Sequence, residues 1–315
     1  MASYQIGTAQ QSQISLEARD SIVQNTASLF ERHYVFPEKG RLISEHLHQE
    51  WKKGRFAQYS NPLRFRKALQ LSIREVVNDP HIILIYIGGE KENPEPTPAS
   101  YLQREYEKRR AMNFGIPEAR FLEGNIAYLK ITKFTSPELF APVIESASNF
   151  LAESDAMILD LRSRGGGNSY TVRLLLSYFL PAKTHLFNWY YREVSEEIEE
   201  TWTLPFVAGK QFLDIPLVVL TSEKTFSGSE AFAFALQMEK RAQIIGETSR
   251  GGAHTYKEMF PAEDFLLLVP IGQALHPQSQ ENWEGKGVIP DISVPADQAL
   301  EFALKELKEV LKLHD

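Results

Sequence analysis

The chain has 315 residues, 43% of them apolar, with a formal charge of −7 and no cysteine. Its length and apolar content allow a large buried core, as one domain or as a domain with a smaller appendage. The negative charge argues against nucleic acid or an anionic membrane as main partner, and the lack of cysteine excludes disulfides, thiolate catalysis and cysteine-bound metals.

The opening residues, "MASYQIGTAQQSQISLEARD", carry neither a basic n-region nor an apolar h-region, and no later stretch approaches the roughly 20 apolar residues of a membrane span. The expected location is cytoplasmic as written, or periplasmic or secreted if a signal has been removed.

Three helices are predicted in the first third. Val23, Ala27, Phe30 and Tyr34 recur at helical spacing and stop before Pro37. Ile43, Leu47 and Trp51 share a face of the second, and Phe65, Leu69 and Val76 align in the third, over 62–77. "HIILIYIGG" (81–89) is β-rich, and "KENPEPTPAS" (91–100), with three prolines among charges, is the predicted linker. The expected organisation is an N-terminal helical domain over 1–80, a strand and linker region over 81–118, and a core over 119–315.

Beyond the linker and a polar helical stretch, strands and helices alternate. Strands are predicted at 125–134, 156–161, 215–222, 242–247 and 264–270, and helices at 137–153, 169–180 and about 227–238. "HLFNWYYREVSEEIEETWTL" (185–204) reads as a hairpin with an acidic tip, and Leu300, Ala303, Leu304, Leu307 and Leu311 mark a closing helix. Such alternation implies an α/β core with crossover connections.

"KTFSGSEAFAF" (224–234) joins a buried strand to a helix. Ser227 and Glu230 have the spacing of a capping box, which satisfies backbone N–H groups at a helix start. The same turn suits a nucleophile whose following N–H, on Gly228, faces a developing oxyanion. Local sequence supports both readings. Three other stretches bear on the choice. "LDLRSRGGGNS" (159–169) runs from a strand into Gly165–Gly167, a loop able to offer a bare N–H to an anion or simply to turn tightly. His81 sits at a helix-to-strand boundary and has the proton affinity of a base for a serine, with His254 and His276 as rivals. Glu284 lies in a glycine-rich loop, where it is either solvated or able to orient a histidine. Trp189 and Tyr191 of the hairpin are candidates for the wall of an apolar substrate pocket, or else face the core. His46 and His48, two apart on a helix, make a poor metal pair. No metal or organic cofactor is indicated.

In order, "NDPH", "LDLRSRGGG", "TSEKTFSGSEAFAFALQ", "IIGETSRGGAH" and "EGKGVIPDISV" resemble the tail-specific, or C-terminal-processing, serine peptidases. The resemblance is to the branch containing tricorn-type peptidases and the repeats of interphotoreceptor retinoid-binding protein. "ERHYVFPEKG", "MNFGIP" and "LEGNIAYLKITKF" are similar to the second group, so the likeness runs from about residue 15 onward. It implies a ββα-superhelix core of the crotonase and Clp-protease type behind an N-terminal helical domain. It also implies Ser227 as nucleophile, His81 as base, Gly228 and Gly166 as oxyanion donors, Glu284 as the acidic member, and a peptide or protein as substrate. Pro80 stands where tricorn-type enzymes have a serine, so the imidazole needs other support, from Glu284 first and Ser229 second. Gly252 stands where Ser/Lys members carry lysine, which points to a histidine-based mechanism. About 30 residues separate "YIGG" from "EGNIAYL", too few for a PDZ module. Two other functions suit the same resemblance: a carrier of lipophilic ligands, like the retinoid-binding repeats, and a hydrolase or lyase acting on a non-peptide acyl compound. Oligomeric state is not legible.

Overall fold

A computed structural model of the protein describes residues 13–88, 98–163 and 165–312. Most of the predicted linker, 91–97, lies outside the described residues. The chain divides into two compact units: Met1–Glu95 with Thr255–Gly272, and Pro96–His254 with Gln273–Asp315. Among the described residues no helix is long and apolar enough to cross a membrane.

The first unit is built on helices α1 (Leu16–His33), α2 (Pro37–Lys52) and α3 (Pro62–Val76). Pro37 and Pro62 open their helices at a position where the missing N–H costs nothing. Ser15 and Asn61 cap α1 and α3 by accepting from the N–H groups of Ala18 and Arg64. Helix α2 lies so close to α1 that a Cβ on Gly40 would collide with the Phe30 carbonyl oxygen, so only glycine serves there. The predicted apolar faces meet: Val23, Phe30, Ile43, Leu47, Phe65 and Leu69 are fully buried in one cluster. Strand β1 (Ile83–Tyr86) pairs antiparallel with Phe265–Leu268, within β10 (Phe265–Leu275). The buried Gln70 amide fastens α3 to this strand, donating to Ile82 O at 3.1 Å and accepting from Leu84 N–H at 2.7 Å. It thereby anchors the segment that follows His81.

The second unit opens with α4 (Pro98–Ala111), the polar helical stretch, and contains a six-stranded sheet. Its strands are β2 (Glu118–Leu122), β3 (Ile126–Lys130), β4 (Ala156–Asp160), β7 (Leu217–Thr221), β8 (Gln243–Gly246) and β11 (Ile292–Ser293). The spatial order is β11-β8-β7-β4-β3-β2, parallel throughout except for β2 at one edge. Strand alternation sorts side chains onto two faces. Leu129, Met157, Leu159, Val219 and Ile244 join the core with α5 (Pro137–Phe150), α6 (Ser169–Leu176) and α7 (Gly228–Met238). Tyr128, Ile158, Val218 and Ile245 face Ala299, Ala303 and Leu307 of α8 (Ala299–Lys312). Because both faces are covered, β4 and β7 are buried at every residue and read as continuous apolar runs. The predicted hairpin is β5 (His185–Tyr191) and β6 (Val194–Trp202). This is the α/β architecture expected.

Three strands were not predicted: β11, only two residues long, and two that carry charges on an exposed side. Strand β2 has Glu118 and Arg120 in a half-exposed edge position, and β9 (His254–Ala262) carries Lys257 and Glu258 outward. Charges on exposed strands blur the apolar alternation that prediction needs.

At the carboxyl end of β4, the buried Asp160 carboxylate accepts from Arg162 Nε at 2.9 Å, Arg162 NH2 at 2.6 Å, the Arg162 backbone N–H at 3.0 Å and the Tyr128 hydroxyl at 2.6 Å. Burial opposes its charge, yet these donors and the guanidinium hold its pKa below the usual 3.8. A depressed carboxylate contributes stability above its unfolded pKa and loses it as pH falls through the lower folded value. Asp160→Asn is therefore expected to cost about 3–5 kcal/mol at pH 7. In urea denaturation the gap to wild type should close as pH drops below 3.8.

Candidate active site

The site residues of the second unit lie where β4 and β7 hand the chain to α6 and α7. Thr225 and Ser222 tie the two turns together. Thr225 Oγ1 donates to Leu161 O at 2.8 Å, and Ser222 Oγ donates to Arg162 O at 2.7 Å. The glycine loop is held from its other side, with Phe134 N–H donating to Gly166 O at 3.0 Å and Asn168 N–H to Phe134 O at 2.8 Å. A Cβ on Gly167 would strike the Phe134 carbonyl, and Gly166 and Gly167 have φ of +138° and +139°, which glycine alone adopts easily.

Ser227 has φ 55° and ψ −119°, a conformation costing a non-glycine residue roughly 1–3 kcal/mol. It is at once the N-cap of α7 and the sharp elbow in the turn that joins β7 to that helix. Among the sequence-predicted residues, Ser227, Gly228 and Gly166 come together here. A Cβ built on Gly166 would lie 3.4 Å from Ser227 Cβ, and one on Gly228 would lie 3.3 Å from Gly167 N. The start of α7 and the glycine backbone thus lie together beside one hydroxyl; Ser227 N–H is taken by Glu230 and Ser229 N–H by Phe226 O at 3.2 Å, and the N–H of Gly228 between them is placed to suit an oxyanion. Ser229 is fully buried beneath this loop, and a Cβ on Gly165 would overlap its Oγ.

Glu230 keeps the elbow in place. Its carboxylate is fully buried and accepts from Ser227 N–H at 2.7 Å, Ser249 Oγ at 2.5 Å, Gly251 N–H at 2.6 Å and Gly252 N–H at 2.9 Å. Burial pushes its pKa above the ordinary glutamate value, against the pull of those four donors. Its sequence signal was the S-x-x-E spacing, which reveals the bond to Ser227 but not the three to a loop some 20 residues away. Ser249 carried no signal at all.

Glu284 continues the same bracing. Its Oε2 accepts from Ala253 N–H at 2.6 Å and lies 3.6 Å from His254 Nδ1, while Trp283 Nε1 donates to Gly252 O at 2.8 Å. His276 is engaged elsewhere, with Nδ1 3.1 Å from Ser279 Oγ and Nε2 3.7 Å from Glu239. His81 belongs to the first unit, where it is buried on the turn that precedes β1. Trp189 is partly buried against the core; it donates to Thr201 Oγ1 at 2.9 Å and stacks on Tyr191. Burial, reinforced by Glu199, raises the Tyr191 pKa to about 12.

Replacing Glu230 by Gln sets an amide nitrogen against donors that need an acceptor. Each buried donor left unpaired costs about 1–3 kcal/mol, so a total loss of about 2–5 kcal/mol is expected in denaturant titrations. Amide exchange should accelerate at Gly251 and Gly252.

The model of peptidase family S41 matches residues 125–294, and the model of the N-terminal domain of that family in eukaryotic IRBP matches residues 11–112. A carboxyl-terminal-processing protease of Synechocystis is 27% identical over 194 residues, covering 57% of this chain and 43% of that protein. The chain thus spans less than half the length of this curated relative. Among solved structures, the photosystem II D1 C-terminal processing protease aligns with a TM-score of 0.55 at 14% identity, covering 89% of this chain and 94% of that one. The tricorn protease aligns with a TM-score of 0.56 at 13% identity, covering 94% of this chain and 37% of that one. These two likenesses show the fold alone, an α/β core with an N-terminal helical domain.

Proposed function

We infer that this chain, which belongs to peptidase family S41, is a serine peptidase that cleaves peptide bonds through an acyl-enzyme. The observation that carries the reading is the Ser227 elbow, a serine in strained backbone geometry at a helix start, beside glycine N–H groups and fastened by a buried carboxylate. Protein folds do not maintain backbone strain of this kind at an idle surface turn without compensation.

In the proposed reaction, Ser227 Oγ attacks the scissile carbonyl as His81 takes its proton. The N–H groups of Gly228 and Gly166 receive the oxyanion. His81 then gives the proton to the leaving amine, the carbon–nitrogen bond breaks, and water resolves the ester by the same route in reverse. One oxyanion donor in such a site contributes about 2.7–4 kcal/mol to the transition state, so the glycine loop ranks close to the serine itself. Glu284 serves this scheme as the acidic member that steadies the 251–253 loop. Trp189 and Tyr191 offer a stacked aromatic surface for an apolar substrate side chain.

Ser227→Ala is expected to lower kcat on a cleavable peptide about 10⁵–10⁶-fold with thermal stability unchanged or raised. Wild type should label with a fluorophosphonate at Ser227, mapped by peptide mass spectrometry. An unlabelled wild-type serine together with lipophilic-ligand binding would favour the carrier function instead.

A further inference from the structure

Catalysis by a neutral imidazole needs one nitrogen protonated and the other presenting a lone pair, and the ring must be held while its charge changes. Within its own unit, His81 has a carboxylate of the same turn on its Nδ1 side. Asp79, Pro80, His81 and Ile82 form a β-turn closed by Ile82 N–H donating to Asp79 O at 3.1 Å, with proline second, the position its fixed φ suits. The Asp79 side chain folds back over that turn. Its Oδ1 accepts the His81 backbone N–H at 2.9 Å, and its Oδ2 accepts the Tyr34 hydroxyl at 3.0 Å. Asp79 is 3% exposed and Tyr34 1%, so the carboxylate is held in a dry setting. Oδ1 lies 3.9 Å from His81 Nδ1. The ring of Tyr256 flanks the imidazole at a centroid distance of 6.0 Å and 33° between planes, and the Gln70 amide anchors the chain just beyond it.

We propose that Asp79, itself fixed by the Tyr34 hydroxyl, is the positioning residue for His81. This rests on the assignment of Ser227 and His81 as nucleophile and base. A carboxylate on the Nδ1 side favours the tautomer with its proton on Nδ1 and its lone pair on Nε2. As the bond from Ser227 Oγ to the carbonyl carbon forms, the Oγ proton passes to Nε2 and the carbonyl π electrons move onto oxygen. Asp79 takes no proton; its negative charge stabilises the imidazolium until Nε2 returns the proton to the amine. The turn supplies what Pro80, standing in place of a serine, cannot.

The test compares Asp79→Asn, Tyr34→Phe and Ser227→Ala in the full chain, using a fluorogenic peptide cleaved by wild type. Asp79→Asn should lower kcat about 10²–10⁴-fold with KM within a factor of three, because the amide favours the opposite tautomer. In ¹⁵N–¹H spectra the His81 ring proton should move from Nδ1 to Nε2. Tyr34→Phe keeps the carboxylate and removes one of its donors, so a loss of about 3–10-fold in kcat is expected; it carries the test if Asp79→Asn does not fold. Wild-type kcat in Asp79→Asn, or a loss with the tautomer unchanged, overturns the assignment of Asp79. Full activity in Ser227→Ala overturns instead the serine mechanism on which it rests.

Discussion

A carboxylate with no access to water must be surrounded by donors, and Glu230 finds its four in places the chain reaches far apart. One donor belongs to Ser227 and three belong to residues 249–252, so the serine elbow and the loop after β8 are set by a single group. The interaction also explains how a strained serine is tolerated. A residue in an unfavourable φ/ψ region persists only where its surroundings over-determine it, and the Ser227 N–H is pinned to a buried anion. Further bonds spread the restraint outward. Ser249 Oγ accepts from Val288 N–H, and Glu284 takes the next free N–H of the loop, on Ala253.

This polar arrangement depends on the sheet beneath it. Parallel strands β4 and β7 end side by side, with Leu161 N–H reaching Leu220 O at 3.0 Å, so the turns that follow them emerge together. One turn carries the three glycines and the other carries Ser227. Crevices outside the carboxyl ends of such strands are where open α/β sheets commonly bind ligands. The Asp160–Arg162 pair closes the base of the glycine turn, and Arg162 NH1 extends the link to Ala296 O at 2.6 Å. Each component is ordinary. Their common position follows from the register.

The histidine segment follows the same principle on a smaller scale. A proline in the turn fixes the backbone, an aspartate one residue earlier caps that turn, and the tyrosine at the C-terminal end of α1 secures the aspartate. In the sequence "NDPH" was legible as a helix-to-strand boundary, and the resemblance put the support of the ring on Glu284 and then Ser229. The carboxylate nearest Nδ1 within this unit is two residues away in sequence, and the bond that secures it comes from Tyr34, 45 residues upstream.

Taken alone, the order of residues determined the three N-terminal helices, the buried strands, the 185–202 hairpin, the glycine loop and the serine turn. Each of these is encoded by periodicity, by proline and glycine, or by a short motif, and so acts over neighbouring residues. Edge strands β2 and β9 escaped because their outward charges erase the alternation. The tertiary structure alone decided that residues 255–272 complete the core of the N-terminal helices, and that Glu230 bonds the 249–252 loop as well as its own helix start. Both depend on buried polar and apolar groups finding partners far along the chain, and a partner chosen by burial leaves no trace in local spacing.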